Sequence, residues 1–357
     1  MSKLPDLIIG DLKINPPFVQ GGMGLKISLA NLASSVANEG AVGTLSAITV
    51  GLSRGNATLI EGERELREQL KKARAQTKGV LAVNILVALT NFTHIVEIAV
   101  EEGIDIIFAG AGLPLSLPKL VEGTKTKIAP IVSSGRTAEI LCKSWINKFH
   151  HAPDAIIVEG PMAGGHLGFS FEDLENEPPT KKLEDILKEV LEVTKKYEEI
   201  AKKKIPVIAA GGIFDGKDIA RMLKLGASGV QMATRFVCTD ECDAAPAFKQ
   251  AYLNAKKEDI TIIHSPVGLP GRALKNEFLD KAAKGEIKFK CDYICLRTCD
   301  PTKSPYCIAD ALINAAKGDL DNGFVFAGSN VHRVDKIVPV KTLINELVQE
   351  TEKELGL

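Results

Sequence analysis

Short, continuously apolar runs alternate along this chain with longer stretches in which apolar positions recur every three or four residues. The runs lie at 17–20, 42–45, 80–84, 104–108, 128–132, 155–158, 206–210 and 229–232, and most are rich in Val, Ile and Ala. Continuous apolar runs predict strands buried on both faces, as in a parallel sheet covered by helices. Helical periodicity fills the intervals, for example from Ser28 to Asn38, Glu63 to Ala75, Glu184 to Lys202 and Lys217 to Leu225. Eight such units in roughly 240 residues match a (β/α)8 TIM barrel, with an open doubly wound sheet as the alternative. The pattern assigns residues 1–242 to the barrel.

Near Asp243 the alternation stops. Residues 243–329 hold several helix-like pieces, the loop Ser265-Pro266-Val267-Gly268-Leu269-Pro270-Gly271-Arg272, and four of the seven cysteines. They are predicted to form a smaller, mainly helical lid domain over the barrel mouth. Residues 330–357 form a C-terminal segment whose amphipathic stretch, Val340 to Leu357, is expected to pack back on the barrel.

Loops after the predicted strands are rich in glycine: Gly21-Gly22-Met23-Gly24, Gly110-Ala111-Gly112 and Gly211-Gly212. In a barrel these loops share the face on which active sites are built. Adjacent glycines let the backbone approach a ligand closely. The run Glu159-Gly160-Pro161-Met162-Ala163-Gly164-Gly165-His166-Leu167-Gly168 sets one imidazole among residues with almost no side chains. This suits a flat cofactor pressed on main chain beside a proton-transfer group; a tight turn with an incidental histidine is the structural alternative. Ala209-Ala210-Gly211-Gly212-Ile213 and Gln231-Met232-Ala233-Thr234-Arg235-Phe236 follow in the seventh and eighth units. Barrels often bind phosphate at that pair of loops through backbone N–H groups, which here predicts an anchor for a phosphorylated cofactor.

Taken together, Gln20-Gly21-Gly22-Met23-Gly24, Ala163-Gly164-Gly165-His166, Ala209-Ala210-Gly211-Gly212-Ile213 and Thr234-Arg235-Phe236 resemble the nitronate monooxygenase family, formerly the 2-nitropropane dioxygenases. That family includes the FMN-dependent enoyl-acyl-carrier-protein reductases of the second type. The resemblance implies an FMN-binding barrel closed by a smaller domain. It implies backbone contacts to the flavin from Gly22, Met23 and Gly24, and a hydrogen bond from Asn84. Gly165 and the catalytic His166 would lie near the reactive face. Gly211, Gly212, Ala233 and Thr234 would cradle the phosphate, with Gln231 close by. Ala233 replaces the family's usual glycine but still offers its N–H. Ala327-Gly328-Ser329 resembles a late segment that returns to the cofactor, which places Ser329, with His264, at the substrate pocket.

Composition narrows the classes. Lys+Arg number 44 and Asp+Glu 45, a formal net charge of -1, which argues against a dedicated nucleic-acid binder. No apolar run reaches the ~18 residues of a membrane span. The first residues lack a secretory pattern, so the expectation is a cytoplasmic protein acting on a small molecule, with a homodimer as one assembly. Seven unevenly spaced cysteines read as reduced thiols. Cys291, Cys295, Cys299 and Cys307 form C-x3-C-x3-C-x7-C, which on a helix would set three sulfurs on one face. They are candidate ligands for zinc or an iron–sulfur cluster, although the spacing matches neither zinc-ribbon pairs nor common ferredoxin runs. Structural thiols and a redox disulfide stay open. His94, His150, His151 and His332 are read as solvated or structural.

Three functions fit. The first is an FMN-dependent oxidoreductase that oxidises alkyl nitronates with O2, using His166 near the flavin. The second is an NADH- or NADPH-dependent enoyl reductase whose substrate is carried by acyl carrier protein. The third is a flavin or metal sensor built on the cysteine set; a retained imidazole argues against it, since binding alone does not require one.

Overall fold

The computed structural model describes residues 2–47, 57–175, 179–291, 293 and 295–357. A hairpin opens the chain, with β1 (Leu7–Ile9) antiparallel to β2 (Leu12–Ile14). Eight parallel strands follow: β3 (Phe18–Gln20), β4 (Gly43–Ser46), β5 (Leu81–Leu86), β6 (Ile106–Gly110), β7 (Lys127–Val132), β8 (Ile156–Glu159), and then, beyond the two-residue antiparallel β9 (Gly165–His166), β10 (Val207–Ala210) and β11 (Gly229–Met232). Their order in the sheet is β3-β11-β10-β8-β7-β6-β5-β4. A parallel bridge between Val19 and Val42 joins the first strand to the last and closes the barrel. All eight predicted strands are present.

Each barrel strand is buried on both faces, which explains the continuous apolar runs. Ala82, Phe108, Ala129, Ile157 and Ile208 point into the barrel, while Val83, Ile107, Val158 and Val207 pack outward against the helices. Leu7, Ile9 and Ile14 of the first hairpin join the inward cluster and plug the end of the barrel opposite the site. The periodic stretches form helices close to their expected bounds: Ala30–Asn38, Ala57–Gln76, Leu183–Ala201 and Gly216–Lys224. Asp215 caps the last of these, its carboxylate accepting from the N–H groups of Lys217 and Asp218. No helix among the described residues is long and apolar enough to cross a membrane.

The segment after the barrel carries helices Pro246–Asn254, Glu277–Ala283 and Ile308–Ala316. It also carries a hairpin that the periodicity does not announce, β12 (Ile260–His264) and β13 (Pro270–Leu274). Its strand β13 pairs antiparallel with β9, so the smaller lobe reaches back into the barrel's own loop. Proline, glycine and arginine in β13 disguise it as a loop; pairing on both sides is what makes it a strand. The final helix, Val340–Leu355, buries Val340, Leu343, Ile344 and Leu347.

Candidate active site

At the C-terminal ends of the barrel strands lies a cavity of about 260 Å³. Its floor is made by strand ends. Asn84 lies two residues before the end of β5, Glu159 closes β8, and Gln231 lies near the end of β11. Around this floor run the glycine loops. A Cβ on Gly22 would stand 2.4 Å from Asn84 Cβ, so only glycine lets the β3 loop lie against that side chain. Asn84 Nδ2 donates to the Gly22 carbonyl at 3.4 Å, while Asn84 Oδ1 is buried without a partner among the described residues. Such an orphaned acceptor is costly unless a ligand satisfies it. Met23 and Gly24 continue the same wall.

Across the barrel, Gly211 and Gly212 both take positive φ (+93° and +81°), which side-chain-bearing residues rarely adopt. A Cβ on Gly212 would fall 2.7 Å from Met162 Cβ. Ala233 and Thr234 flank this end of the cavity, with Thr234 opening the short helix Thr234–Val237. The late segment closes over them. Gly328 N–H donates to Thr234 Oγ1 at 3.3 Å, Asn330 Nδ2 donates to the Gly212 carbonyl at 2.7 Å, and Ser329 Oγ donates to the Met162 carbonyl at 3.1 Å.

His166 enters from the wall contributed by the smaller lobe. Its neighbour Gly165 has φ +79°, which turns the chain into β9, and His166 is there paired with Gly271 of β13. Buried Arg272, next on β13, clamps the loop by donating from Nη1 to the carbonyls of Pro161 and Ala163. The His166 ring meets Phe326 edge-on with centroids 4.9 Å apart. Its Nε2 lies 2.7 Å from Ser265 Oγ, which also accepts from Val267 N–H at 3.3 Å. Burial pushes the imidazole down to about 4, so it is neutral near pH 7. Burial pushes Glu159 the other way, up to about 8 against the opposing pull of Arg272, so that carboxyl is protonated near pH 7. Tyr252, whose hydroxyl donates to the Phe326 carbonyl at 2.7 Å, is held well above its usual range by burial. One cavity therefore presents a neutral base and a neutral acid, the separation of proton affinities expected of an acid–base site.

The fold brings Gly22, Met23, Gly24, Asn84, Gly165, His166, Gly211, Gly212, Gln231, Ala233, Thr234 and Ser329 to this one cavity. Other predicted residues are placed elsewhere. His264 is exposed and stacks on Phe171, with centroids 3.7 Å apart and planes 22° apart, away from the cavity lining. Its strand β12 turns that side chain outward while the neighbouring Ser265 turns in. The cysteine set is not on a helix: Cys291, Cys295 and Cys299 lie in irregular chain, and Cys307 caps Ile308–Ala316. Among the described residues no group of three or more His, Cys, Asp or Glu side chains is arranged to hold a metal ion. Instead Cys307, with Leu25 and Ile313, forms a small apolar cluster against which Cys295 packs, and burial pushes Cys295 up to about 11 and Cys307 to about 12. Cys299 Sγ lies 3.4 Å from Ser304 Oγ. Sequence reasoning did not single out Ser265, Glu159 or Phe326. Glu159 stands inside the glycine motif, and Ser265 opens a recognisable loop, but their roles depend on contacts distant in sequence, 99 residues apart in the case of His166 and Ser265.

A family model described as nitronate monooxygenase matches residues 6–350. The chain is 32% identical over 273 residues to a (3aS,4S,5R,7aS)-5-hydroxy-7a-methyl-1-oxo-octahydro-1H-indene-4-carboxyl-CoA dehydrogenase of Mycobacterium tuberculosis, a match spanning 76% of this chain and 66% of that protein. It is 26% identical over 303 residues to a probable nitronate monooxygenase of Staphylococcus saprophyticus, covering 78% of this chain and 81% of the relative. Among solved structures, FabK from Thermotoga maritima superposes with a TM-score of 0.76 at 26% identity, over 96% of this chain and 94% of that one.

Proposed function

The chain belongs to the nitronate monooxygenase family of oxidoreductases, and we propose that it is an FMN-dependent member that oxidises alkyl nitronates and their parent nitroalkanes with O2. The observation that carries this reading is the neutral His166 imidazole, held by Ser265 in a cavity bordered by several glycine loops. The residues present fit a flavin mononucleotide. Among the described residues Asn84 Oδ1 is an acceptor lacking a donor, and a ring N–H of a bound flavin would supply one. A Cβ at Gly22 or Gly212 would run into Asn84 or Met162, so glycine at both positions keeps these loops close against the cavity walls with main chain free to face a ligand. Gly211, Gly212, Ala233 and Thr234 would hold the phosphate, and Gly22, Met23, Gly24, Asn84, Gly165 and Gln231 the ring and ribityl portions.

When bound, FMN supplies the two-electron acceptor that passes reducing equivalents from substrate to O2. The protein's own part is proton handling and exclusion of water. A nitroalkane is a carbon acid, and a neutral imidazole can take its proton where an imidazolium cannot. A nitronate arrives already deprotonated, and the same ring then offers an N–H to its oxygens. The Ser265 hydroxyl occupies Nε2 and serves either role, since it both donates and accepts. Phe326, Tyr252 and Leu312 make the remaining wall apolar.

A second reading, reduction of an enoyl thioester at the expense of NADH or NADPH, draws on that apolar wall and on the thioester in the name of the Mycobacterium relative. Acyl carrier protein or coenzyme A would carry such a substrate. The test is anaerobic mixing of the FMN-loaded protein with an alkyl nitronate, NADH or NADPH while the visible flavin band is followed. Bleaching by the nitronate alone, reversed by O2, is expected. Bleaching by nicotinamide with an inert nitronate would transfer the assignment to the reductase. No flavin band after reconstitution with FMN would overturn both.

A further inference from the structure

The stretch that carries Cys291, Cys295 and Cys299 ties two loops of the cavity together. Thr90 N–H donates to the Cys295 carbonyl at 3.1 Å, Leu296 bridges to Leu89, and Arg297 N–H donates to the Ala88 carbonyl at 2.9 Å. These partners follow Leu86, which ends β5 and lines the cavity. On its other side Thr298 Oγ1 donates to the Val267 carbonyl at 2.8 Å. Val267 N–H donates to Ser265 Oγ, which lies 2.7 Å from His166 Nε2. An unbroken series of contacts therefore runs from this strap to the imidazole.

Arg297 and Thr298 form a turn that folds the chain back between Cys295 and Cys299. A turn of this kind brings the Cα atoms of its ends within about 7 Å, close to the span of a disulfide. Both thiols are free and half-buried, beside exposed Arg297, Thr298 and Asp300. Cys295 also senses Cys291 and Cys299 electrostatically. We propose that Cys295 and Cys299 are a thiol-oxidation site, at which a hydroperoxide closes a disulfide across this turn and loosens the support behind Ser265.

The Cys299 sulfur, as thiolate, attacks one peroxide oxygen. The O–O bond breaks, hydroxide leaves and is protonated to water, and Cys299 becomes a sulfenic acid. Cys295 sulfur then attacks the Cys299 sulfur; the S–S bond forms, the S–O bond breaks, and the departing hydroxide takes the Cys295 proton as water. The two thiols lose two electrons and two protons, and hydrogen peroxide is reduced to two waters. Burial pushes Cys295 up to about 11, which suits the resolving thiol rather than the attacking one. Drawing Cys299 toward Cys295 tightens the turn that holds Thr298 and weakens its bond to Val267. On the proposed function, losing that one hydrogen bond should lower turnover about fivefold.

The test is peptide mapping of the full chain after treatment with hydrogen peroxide and blocking of the remaining thiols. Trypsin cuts after Arg297, so Cys295 falls in the peptide 291–297 and Cys299 in 298–303. The expected product is these two peptides joined, lighter than their sum by two hydrogens. The link should persist in Cys291→Ser, vanish in Cys295→Ser and in Cys299→Ser, and be undone by dithiothreitol, with a thermal melt of each variant to verify folding. Peroxide should lower nitronate turnover about fivefold in the unaltered protein and in Cys291→Ser, reversibly and at constant FMN content, but not in Cys299→Ser. No joined peptides, a link that survives Cys295→Ser, or a link to the peptide that carries Cys307 would overturn the inference. So would a metal found by elemental analysis on these thiols in the purified protein, or undiminished turnover once the link has formed. The peptide map does not depend on FMN, so a protein that forms the link yet turns over no nitronate before oxidation would overturn the proposed function and leave the oxidation site standing.

Discussion

Ser265→Ala is the most direct probe of the site, because it removes one oxygen and leaves the glycine loops of the cavity intact. Ser265 is buried, and its Oγ sits 2.7 Å from His166 Nε2 and 3.3 Å from the Val267 nitrogen. Deleting the hydroxyl leaves a buried ring nitrogen and a buried N–H without this partner, each worth about 1–3 kcal/mol. The edge contact with Phe326 still confines the ring, so the imidazole loses its preferred tautomer and part of its orientation without leaving the cavity. A loss of about 2 kcal/mol in the transition state corresponds to roughly thirtyfold in rate. The assay is oxygen consumption with an alkyl nitronate or nitroalkane, alongside FMN content and a melting curve. The expected result is a fall of this size in kcat, little change in KM, full FMN occupancy, and partial rescue by Ser265→Thr, which retains a hydroxyl. Wild-type turnover in Ser265→Ala at unchanged melting temperature would refute the coupling between the two lobes on which the proposed mechanism depends.

Four further outcomes follow from the same geometry. The His166 pKa, near 4 when folded against 6.5 in model compounds, places the acid limb of the rate profile near pH 4, so nitroalkane turnover should hold a plateau from about pH 5 through 7; a limb near 6.5 would contradict burial of the ring. Because the folded state then binds fewer protons than the unfolded one, His166 contributes stability above pH 6.5 that is lost on acidification toward pH 4, up to about 3 kcal/mol, and acid melts of His166→Asn should show a shallower decline. Gly22→Ala sets a methyl against Asn84, with 2.4 Å between the two Cβ positions, and should lower FMN affinity at least tenfold; equilibrium dialysis checks this. Gly164→Ala drives a Cβ to 2.5 Å from the Ala327 carbonyl carbon and should cost more stability and activity than Gly165→Ala. The latter meets nothing within 4 Å and pays only its positive φ of +79°, about 1–2 kcal/mol, which chemical denaturation of the two variants would rank.

The placement of Glu159 and His166 also shows how one cavity sets opposite proton affinities without a metal-like charge nearby. Both shifts have desolvation as their largest cause, and desolvation favours the uncharged form of each group. An acid and a base brought out of water together thus become, near neutral pH, a donor and an acceptor of protons. The smaller lobe is what excludes the water, through β13, Phe326 and the loop that carries Ser265.

The alternation of apolar runs with amphipathic stretches was enough to determine the barrel, because a strand covered on both faces must be continuously apolar and a covering helix must carry one apolar stripe. The glycine loops and His166 were legible for a similar reason: close backbone approach requires glycine at Gly22 and Gly212 whatever the rest of the chain does. The plug formed by Leu7, Ile9 and Ile14 was not legible, since three-residue strands carry too little periodicity to distinguish them from coil. Nor was the hairpin of β12 and β13, whose strand character comes from its partners more than from its residues. Spacing suggested that Cys291, Cys295 and Cys299 shared a helix face, yet these three residues lie outside any helix, and spacing has no meaning for a face without the helix. His264 and Ser265 are adjacent in sequence and opposite in role, because alternate residues of a strand end face opposite sides and only the pairing of β13 with β9 decides which side is the site. The protonation states of His166 and Glu159 likewise belong to the tertiary structure alone, for they are set by how much water the two lobes leave between them.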